Sequence, residues 1–197
     1  MSQTANLGLL QNAHEDGDLS QGSLTALTKI PDIGAIIQEG LGIPIDNVKS
    51  SEVILLNILV DDSGSIRMAG NSQPIRDGHN MLIQALMESK QQDNIEVLNR
   101  YLNGTVLYPY TPLSLVPQMD SSNYDANGGT PLFDETAKLL ATVIAKSQDF
   151  KNNGIKVTRK GGNEMVVYFG REVEKALKKY IEVRENIVSI AGHEHAL

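Results

Sequence analysis

The sequence predicts an α/β fold: an open, mostly parallel sheet with one antiparallel strand at its edge and helices on both faces. Three observations predict it. Val53 to Val60 is an apolar run broken only by Asn57, the pattern of a strand buried on both faces, as in a parallel sheet. Asn103-Gly104 stands between two β-prone runs, 95–102 and 105–110, and an Asn-Gly pair there is a hairpin signal, read as a type I′ turn. Pro109 lies in the second run, and proline cannot donate to a ladder, which places that strand at or near the edge.

Bulk composition sets the frame. At 197 residues the chain suits one domain able to bury roughly 70% of the surface its unfolded form exposes. There is no Cys, which excludes disulfides, thiolate metal sites and a Cys nucleophile and fits a reducing cytoplasm. No apolar run is long enough to span a bilayer, and Met1-Ser2-Gln3-Thr4 lacks a basic-then-apolar signal pattern. A formal charge of −7 argues against a nucleic-acid footprint and is compatible with cation binding. The expected domain organisation is a loose polar leader over 1–22, a single domain over 23–192 and a tail over 193–197.

In chain order, Ser23 to Leu27 begins a short helix. Pro31 to Gly40 is a second, with Ile33, Ile36 and Ile37 on one face and Gly40 as its stop. After the central strand, Asn71-Ser72-Gln73-Pro74 starts a helix whose stripe is Ile75, Leu82, Ile83, Leu86 and Met87. His79 lies on it, read as a packed histidine rather than a ligand. A polar connector over 111–125 leads to Asn127-Gly128-Gly129-Thr130-Pro131-Leu132, where two glycines permit close approach of another group. The next helix carries Phe133, Ala137, Leu140 and Ile144 on one face, with Asp134 and Glu135 in its first turn. Thr130 reads either as that helix's N-cap or as a hydroxyl delivered to a ligand.

The chemistry concentrates where the central strand ends, in Asp61-Asp62-Ser63-Gly64-Ser65. Open α/β sheets bind ligands outside the carboxyl ends of their strands. Asp61, Ser63 and Ser65 alternate, so a tight loop can aim one carboxylate and two hydroxyls at one point. Oxygen-only ligation suits a hard cation such as Mg²⁺. The plainer reading is a polar turn that caps the next helix.

Asp61-x-Ser63-x-Ser65 after an apolar strand resembles the metal-ion-dependent adhesion site (MIDAS) of von Willebrand factor type A domains, and Gly128-Gly129-Thr130-Pro131-Leu132 is similar to the second motif of their bacterial members. The resemblance spans about Ser23 to Lys151, and Leu24 to Ser65 is also similar to the leader and first strand of small stand-alone bacterial members. It implies a three-layer, Rossmann-like domain in which Asp61, Ser63, Ser65 and Thr130 hold Mg²⁺ (or Mn²⁺ or Ca²⁺), waters complete an octahedron at about 2.1 Å, and a partner protein's carboxylate takes an exchangeable position.

The pattern then departs from the family. The family's third loop supplies a further Asp, but Glu164 to Gly170, a candidate for the strand before it, ends in Phe169-Gly170-Arg171-Glu172. No third ligand is transferred. Val173, Ala176, Leu177, Tyr180 and Ile181 mark a helix with Lys175, Lys178 and Lys179 on its wet face. Ile187 to Ala191 marks a further strand, and His193-Glu194-His195 a frayed tail.

Two other function classes compete with a metal-assisted protein-binding module. One is an assembly module that has lost metal dependence, motivated by the missing Asp and by Arg171. The other is an enzyme. The serines stand in no G-x-S-x-G elbow, no phosphate loop or dinucleotide fingerprint occurs, and an aspartyl phosphate at Asp61-Asp62 lacks placeable partner residues. The expectation is a non-enzymatic binding module.

Overall fold

The computed structural model describes residues 3–42 and 52–157. The readings made for residues 158–197, including the strand ending at Gly170, Arg171 and the histidine tail, lie outside them.

The described chain is mixed α/β with an open mixed sheet. Helices α1 (Gln3–Glu15), α2 (Gln21–Thr28) and α3 (Ile33–Leu41) precede strand β1 (Glu52–Val60). Short helix α4 (Gly64–Met68) and helix α5 (Ser72–Met87) lead to β2 (Ile95–Tyr101) and β3 (Val106–Pro112). Helix α6 (Leu132–Asn152) precedes a two-residue strand, β4 (Lys156–Val157). The strand order is β3-β2-β1-β4. β1 is parallel to β2 and to β4, while β2 and β3 are antiparallel, so the strand holding Pro109 is at the edge as expected. Thr111 and Tyr108 of β3 pair with Val97 and Asn99 of β2, three residues of advance against two. The extra residue is a bulge, and Pro109 is accommodated in it.

The turn differs from the expected type. Gly104 has φ +95°, but Asn103 does not take a positive φ, so this is not type I′. The Gly104 N–H donates to the Tyr101 carbonyl and the Tyr101 N–H to the Thr105 carbonyl, a type I turn followed by a left-handed glycine, the usual three-residue hairpin. Asn103 stays in ordinary backbone because it is tied twice: its side-chain oxygen accepts from the Thr105 N–H and its own N–H donates to Asp62.

Side-chain alternation sends β1 and β2 to different helices. Ile54, Leu56, Ile95 and Val97 pack with Ile83 and Leu86 of α5. Glu96 and Arg100 point instead to α6, where they meet Lys146 and Glu135. The working stripe of α5 is therefore Ile75, His79, Ile83 and Leu86, at helical spacing; Leu82 and Met87, expected on it, are 42% and 41% exposed. His79 is buried, and its Nε2 lies 2.8 Å from the Tyr108 hydroxyl. Burial pulls its pKa below the ordinary value, as a packed histidine requires.

The helices at the start of the chain form their own core with α6. The first segment is no loose leader. Asn6, Leu9, Leu10 and Ala13 of α1 are buried at spacings of three, one and three, a helical face whose regularity is hidden because its first member is polar. The Asn6 side-chain amide donates to the Gly34 carbonyl and to Gln38, so the polar residue is paired where it is buried. Leu27, Ile33, Ile37 and Ile144 complete the cluster. Each such burial is worth about 1.5–3 kcal/mol, so short helices of modest propensity are held by packing. Helix α3 also runs past Gly40, which packs against Thr142, and stops at Gly42 with φ +68°. On α6, Ala137 and Ile144 are buried as expected, but Phe133 is 60% exposed.

The start of α6 is fixed by charge. Arg100 Nε donates to Glu135 Oε2 at 2.7 Å with both side chains almost fully buried, and Lys138 Nζ donates to Glu135 Oε1 at 2.6 Å. Removing one member of a buried pair leaves the other charge uncompensated. Glu135→Ala is expected to lower stability by about 3–5 kcal/mol in urea unfolding, while Lys138→Ala, at the half-exposed end, costs less than about 1 kcal/mol.

Gly8 lies inside α1, and a Cβ placed there meets nothing within 4 Å. Glycine inside a helix costs about 0.5–1 kcal/mol relative to alanine. Gly8→Ala is expected to stabilise the chain by that amount, read as a higher urea midpoint.

Candidate functional site

The loop after β1 is brought against the double-glycine loop. Ser63 and Gly128 form an isolated parallel bridge. The Gly64 N–H donates to the Gly128 carbonyl at 3.1 Å, and the Gly128 N–H donates to the Asp62 carbonyl at 2.8 Å. The two segments carrying Asp61, Ser63 and Ser65 on one side and Thr130 on the other are neighbours beyond the carboxyl end of β1.

Within the first loop, the Asp61 carboxylate accepts from the Ser63 N–H at 2.8 Å, a local turn that such short acidic side chains favour. The Ser63 and Ser65 hydroxyls are 2.9 Å apart and hydrogen-bonded. Ser63 is buried, Asp61 half-buried and Ser65 exposed. Thr130 is exposed. It is not the helix cap, since α6 begins at Leu132 with Pro131 in the cap position; the Thr130 carbonyl accepts from the Leu132 N–H at 2.8 Å.

These residues can be tested against a divalent cation. Adjacent ligands of an octahedral Mg²⁺, each at about 2.1 Å and at right angles, stand about 3.0 Å apart. The hydroxyl separation of 2.9 Å matches one such edge. All four donors are hard oxygens, as Mg²⁺ prefers. Among the described residues no group of three or more His, Asp or Glu could hold a metal, so any cation here would rest on hydroxyls and one carboxylate.

Asp62, weighed in the sequence only as half of an Asp61-Asp62 phosphate acceptor, holds the loops together. It is 1% exposed. Its Oδ1 accepts from the Asn103 N–H at 3.0 Å, joining the β1 loop to the β2–β3 turn. A Cβ on residue 128 would lie 2.9 Å from the Asn103 side chain and 3.0 Å from Asp62 Oδ2, so only glycine allows this approach. Asp62 Oδ2 is buried and has no hydrogen-bond partner among the described residues. Burial is the largest cause that raises the Asp62 pKa, opposed by the Asn103 N–H and assisted by Asp61 and Glu135.

Two tyrosines brace the loop from below. The Tyr124 hydroxyl donates to the Asp61 carbonyl at 2.7 Å, and the Tyr101 hydroxyl to the Asn123 carbonyl at 2.8 Å. Their rings meet edge to face at 5.5 Å. Burial, then the Asp62 and Asp61 charges, push the Tyr124 phenol up to about 12, so it remains a donor near neutrality. Arg76 of α5 donates to the Tyr124 carbonyl. The only sequence signal for Tyr124 was that it is the one aromatic residue of the 111–125 connector.

No protein-family model matches the chain, and neither a curated protein nor a solved structure matches it. No helix among the described residues is long and apolar enough to cross a membrane.

A carboxyl whose pKa is raised by folding binds its proton more readily in the folded chain. Its contribution is therefore most favourable at or below the ordinary carboxylate value and is lost as pH rises through the raised one. Asp62→Asn keeps an acceptor for the Asn103 N–H and cannot ionise. Between about pH 4 and 7 the urea midpoint of this variant is expected to gain relative to that of the parent chain as pH rises; Glu96 and Asp149, also raised by burial, and His79, lowered by burial and so acting in the opposite direction, contribute equally to both proteins and cancel in the difference.

Proposed function

We propose that the chain is a von Willebrand A-like protein-interaction module, three-layered and Rossmann-like, in which Asp61, Ser63, Ser65 and Thr130 hold Mg²⁺ (or Mn²⁺ or Ca²⁺) and a partner protein's carboxylate completes the coordination. It is a binding activity without catalysis, directed to an acidic protein surface rather than to nucleic acid or membrane, and the absence of Cys suits a reducing cytoplasm. The observation that carries the reading is the backbone pairing of Ser63 with Gly128, which supports a site shared by two loops far apart in the chain. The hydroxyl spacing of Ser63 and Ser65 supports it further, as does the packing of α5 and α6 against alternate side chains of β2.

When bound, the cation supplies a Lewis-acidic position open to an anionic oxygen. The chain's own residues do the rest. Asp61 contributes the single full negative charge, the hydroxyls are neutral donors, and Gly128 lets the second loop close on the first. With one anionic ligand the ion keeps net positive charge, so affinity for the ion alone is weak and rises when a carboxylate is added.

A specific observation favours a second reading, an assembly module that needs no metal. The Asp61 carboxylate and the Ser63 N–H, and the two serine hydroxyls, already satisfy one another. Mn²⁺ separates the two readings, because its unpaired electrons broaden nearby amide signals. Titration into ¹⁵N-labelled protein is expected to broaden the amides of Ser63, Ser65, Gly128 and Thr130 first, weakly and more strongly with acetate present, and Asp61→Ala is expected to abolish this. Broadening confined to other residues, or unchanged in Asp61→Ala, would overturn the metal reading and leave the assembly module.

A further inference from the structure

An asparagine followed by glycine can deamidate without an enzyme. The glycine nitrogen, with no Cβ beside it to hinder approach, attacks the asparagine Cγ. A bond from that nitrogen to Cγ forms and the Cγ–Nδ2 bond breaks. Nδ2 leaves as ammonia with the proton that the glycine nitrogen gives up. Water then opens the five-membered imide. Opening at Cγ leaves aspartate, and opening at the backbone carbonyl leaves isoaspartate, which has one more carbon in the main chain.

The chain has three such pairs, Asn103-Gly104, Asn127-Gly128 and Asn153-Gly154. All three asparagines are exposed. Each glycine N–H is hydrogen-bonded once, to the carbonyl of Tyr101, Asp62 and Lys151 in turn. Neither exposure nor that bond distinguishes the pairs; the hold on the asparagine does. Ring closure swings the side chain onto the next nitrogen and turns the backbone between the two residues, so bonds made by the asparagine itself have to break.

Asn103 is held at both ends. Its N–H donates to Asp62 and its side-chain oxygen accepts from the Thr105 N–H, inside the β2–β3 hairpin. Asn153 is held in the same way at the end of α6: its N–H donates to the Phe150 carbonyl at 3.0 Å, and its side-chain amide to the Asp149 carbonyl at 2.8 Å. Asn127 makes no backbone hydrogen bond among the described residues. Its side-chain amide donates to the exposed carboxylate of Asp125 at 3.2 Å. Two glycines follow it, so no side chain resists a turn of the backbone there. The main restraint is the bond from the Gly128 N–H to the Asp62 carbonyl, at 2.8 Å.

We propose that Asn127 is the residue at which the folded chain deamidates, and that the change loosens the pairing of its loop with the loop after β1. The imide nitrogen of Gly128 carries no hydrogen, so its bond to the Asp62 carbonyl is lost as soon as the ring closes. In isoaspartate the extra carbon shifts Gly128 out of register with Ser63. In aspartate a second carboxylate replaces the donor to Asp125, and like charges stand where a hydrogen bond was. The change is one-way and consumes only water. It rests on the pairing of the loops and not on a cation bound between them.

The test incubates the full chain near neutral pH, in buffer and in urea, and follows the three asparagines by proteolytic mass spectrometry, with isoaspartate told from aspartate by retention time. In urea the three pairs are expected to react at similar rates. In the folded chain Asn127 is expected to stay within about tenfold of its urea rate, because one backbone bond opposes it, while Asn103 and Asn153 fall about tenfold or more below Asn127, because two further bonds oppose each. In the isoaspartyl product, isolated by ion exchange, the Gly128 amide is expected to exchange with solvent deuterium about two- to tenfold faster than in fresh protein. Asn127→Gln, whose longer side chain closes a ring far less readily, is expected to keep slow exchange after the same incubation. Deamidation of Asn103 or Asn153 as fast as that of Asn127 in the folded chain would overturn the proposal. So would an Asn127 that stays unmodified, an isoaspartyl product with unchanged Gly128 exchange, or an incubated Asn127→Gln chain that loosens like the parent.

Discussion

The arrangement of the loops depends on a pair of backbone hydrogen bonds, Gly64 to Gly128 and Gly128 to Asp62. They join residues far apart in sequence with no help from side chains, so they need a glycine on one partner and a fixed loop on the other. Asp62 supplies the fixing. Its carbonyl takes one of these bonds and its carboxylate takes the Asn103 N–H, so one residue ties the end of β1 to two other loops. A carboxyl placed this deep, with one oxygen unpaired among the described residues, is costly. The cost is tolerable because three chain segments meet there and a backbone N–H meets the other oxygen.

A second constraint comes from α6. Its first turn is held to β2 through Glu135 and Arg100, and the loop carrying Gly128 and Thr130 enters that turn directly. The buried pair adds little net stability beyond what an apolar pair would give, but it is directional: Glu135 of α6 reaches Arg100 of β2 only with the helix in one rotation, while Lys138, one turn along the same helix, takes its other oxygen. Farther along α6, Lys146 lies 3.8 Å from Glu96 and over the ring of Phe150. Burial lowers the Lys146 pKa and raises that of Glu96, each opposed by the charge of the other. Helix α6 is thus registered on β2 by charge at two places and on α1 and α3 by apolar packing.

The parts of this architecture readable in advance are those where one strong local signal decides. The apolar run of β1, the edge position of a strand containing Pro109, the hairpin at Asn103-Gly104 and the packed state of His79 are all of this kind. The misreadings have a common physical origin: tertiary contacts outvote local pattern. Helix α1 was hidden because its buried face includes Asn6, whose amide is satisfied only by α3, a partner the sequence does not reveal. Gly40 resembled a stop because a glycine usually ends a helix, whereas here it makes room for Thr142. Asn103 would favour type I′ in isolation, but its tie to Asp62 holds it in ordinary backbone. At the candidate site, the residues offering oxygens were legible as a motif. The residues that hold those oxygens in place, Asp62, Tyr124 and Arg76, were not, because their roles exist only across elements.

The same separation between offering and holding bears on the proposed cation site. The contacts that fix the two loops, Ser63 to Gly128, Asp62 to Asn103 and Tyr124 to the Asp61 carbonyl, use none of the Ser63, Ser65 or Thr130 hydroxyls. A cation entering the site would displace the mutual hydrogen bond of the two serines, a net cost of about 0.5–1.5 kcal/mol, and would leave the backbone framework in place. Reorganisation is therefore a small obstacle to binding, and the larger limitation is charge: one carboxylate against a divalent ion. On this reading the affinity missing from the isolated chain is of the kind a second carboxylate supplies. In the proposed function, an acidic partner is the source of that carboxylate.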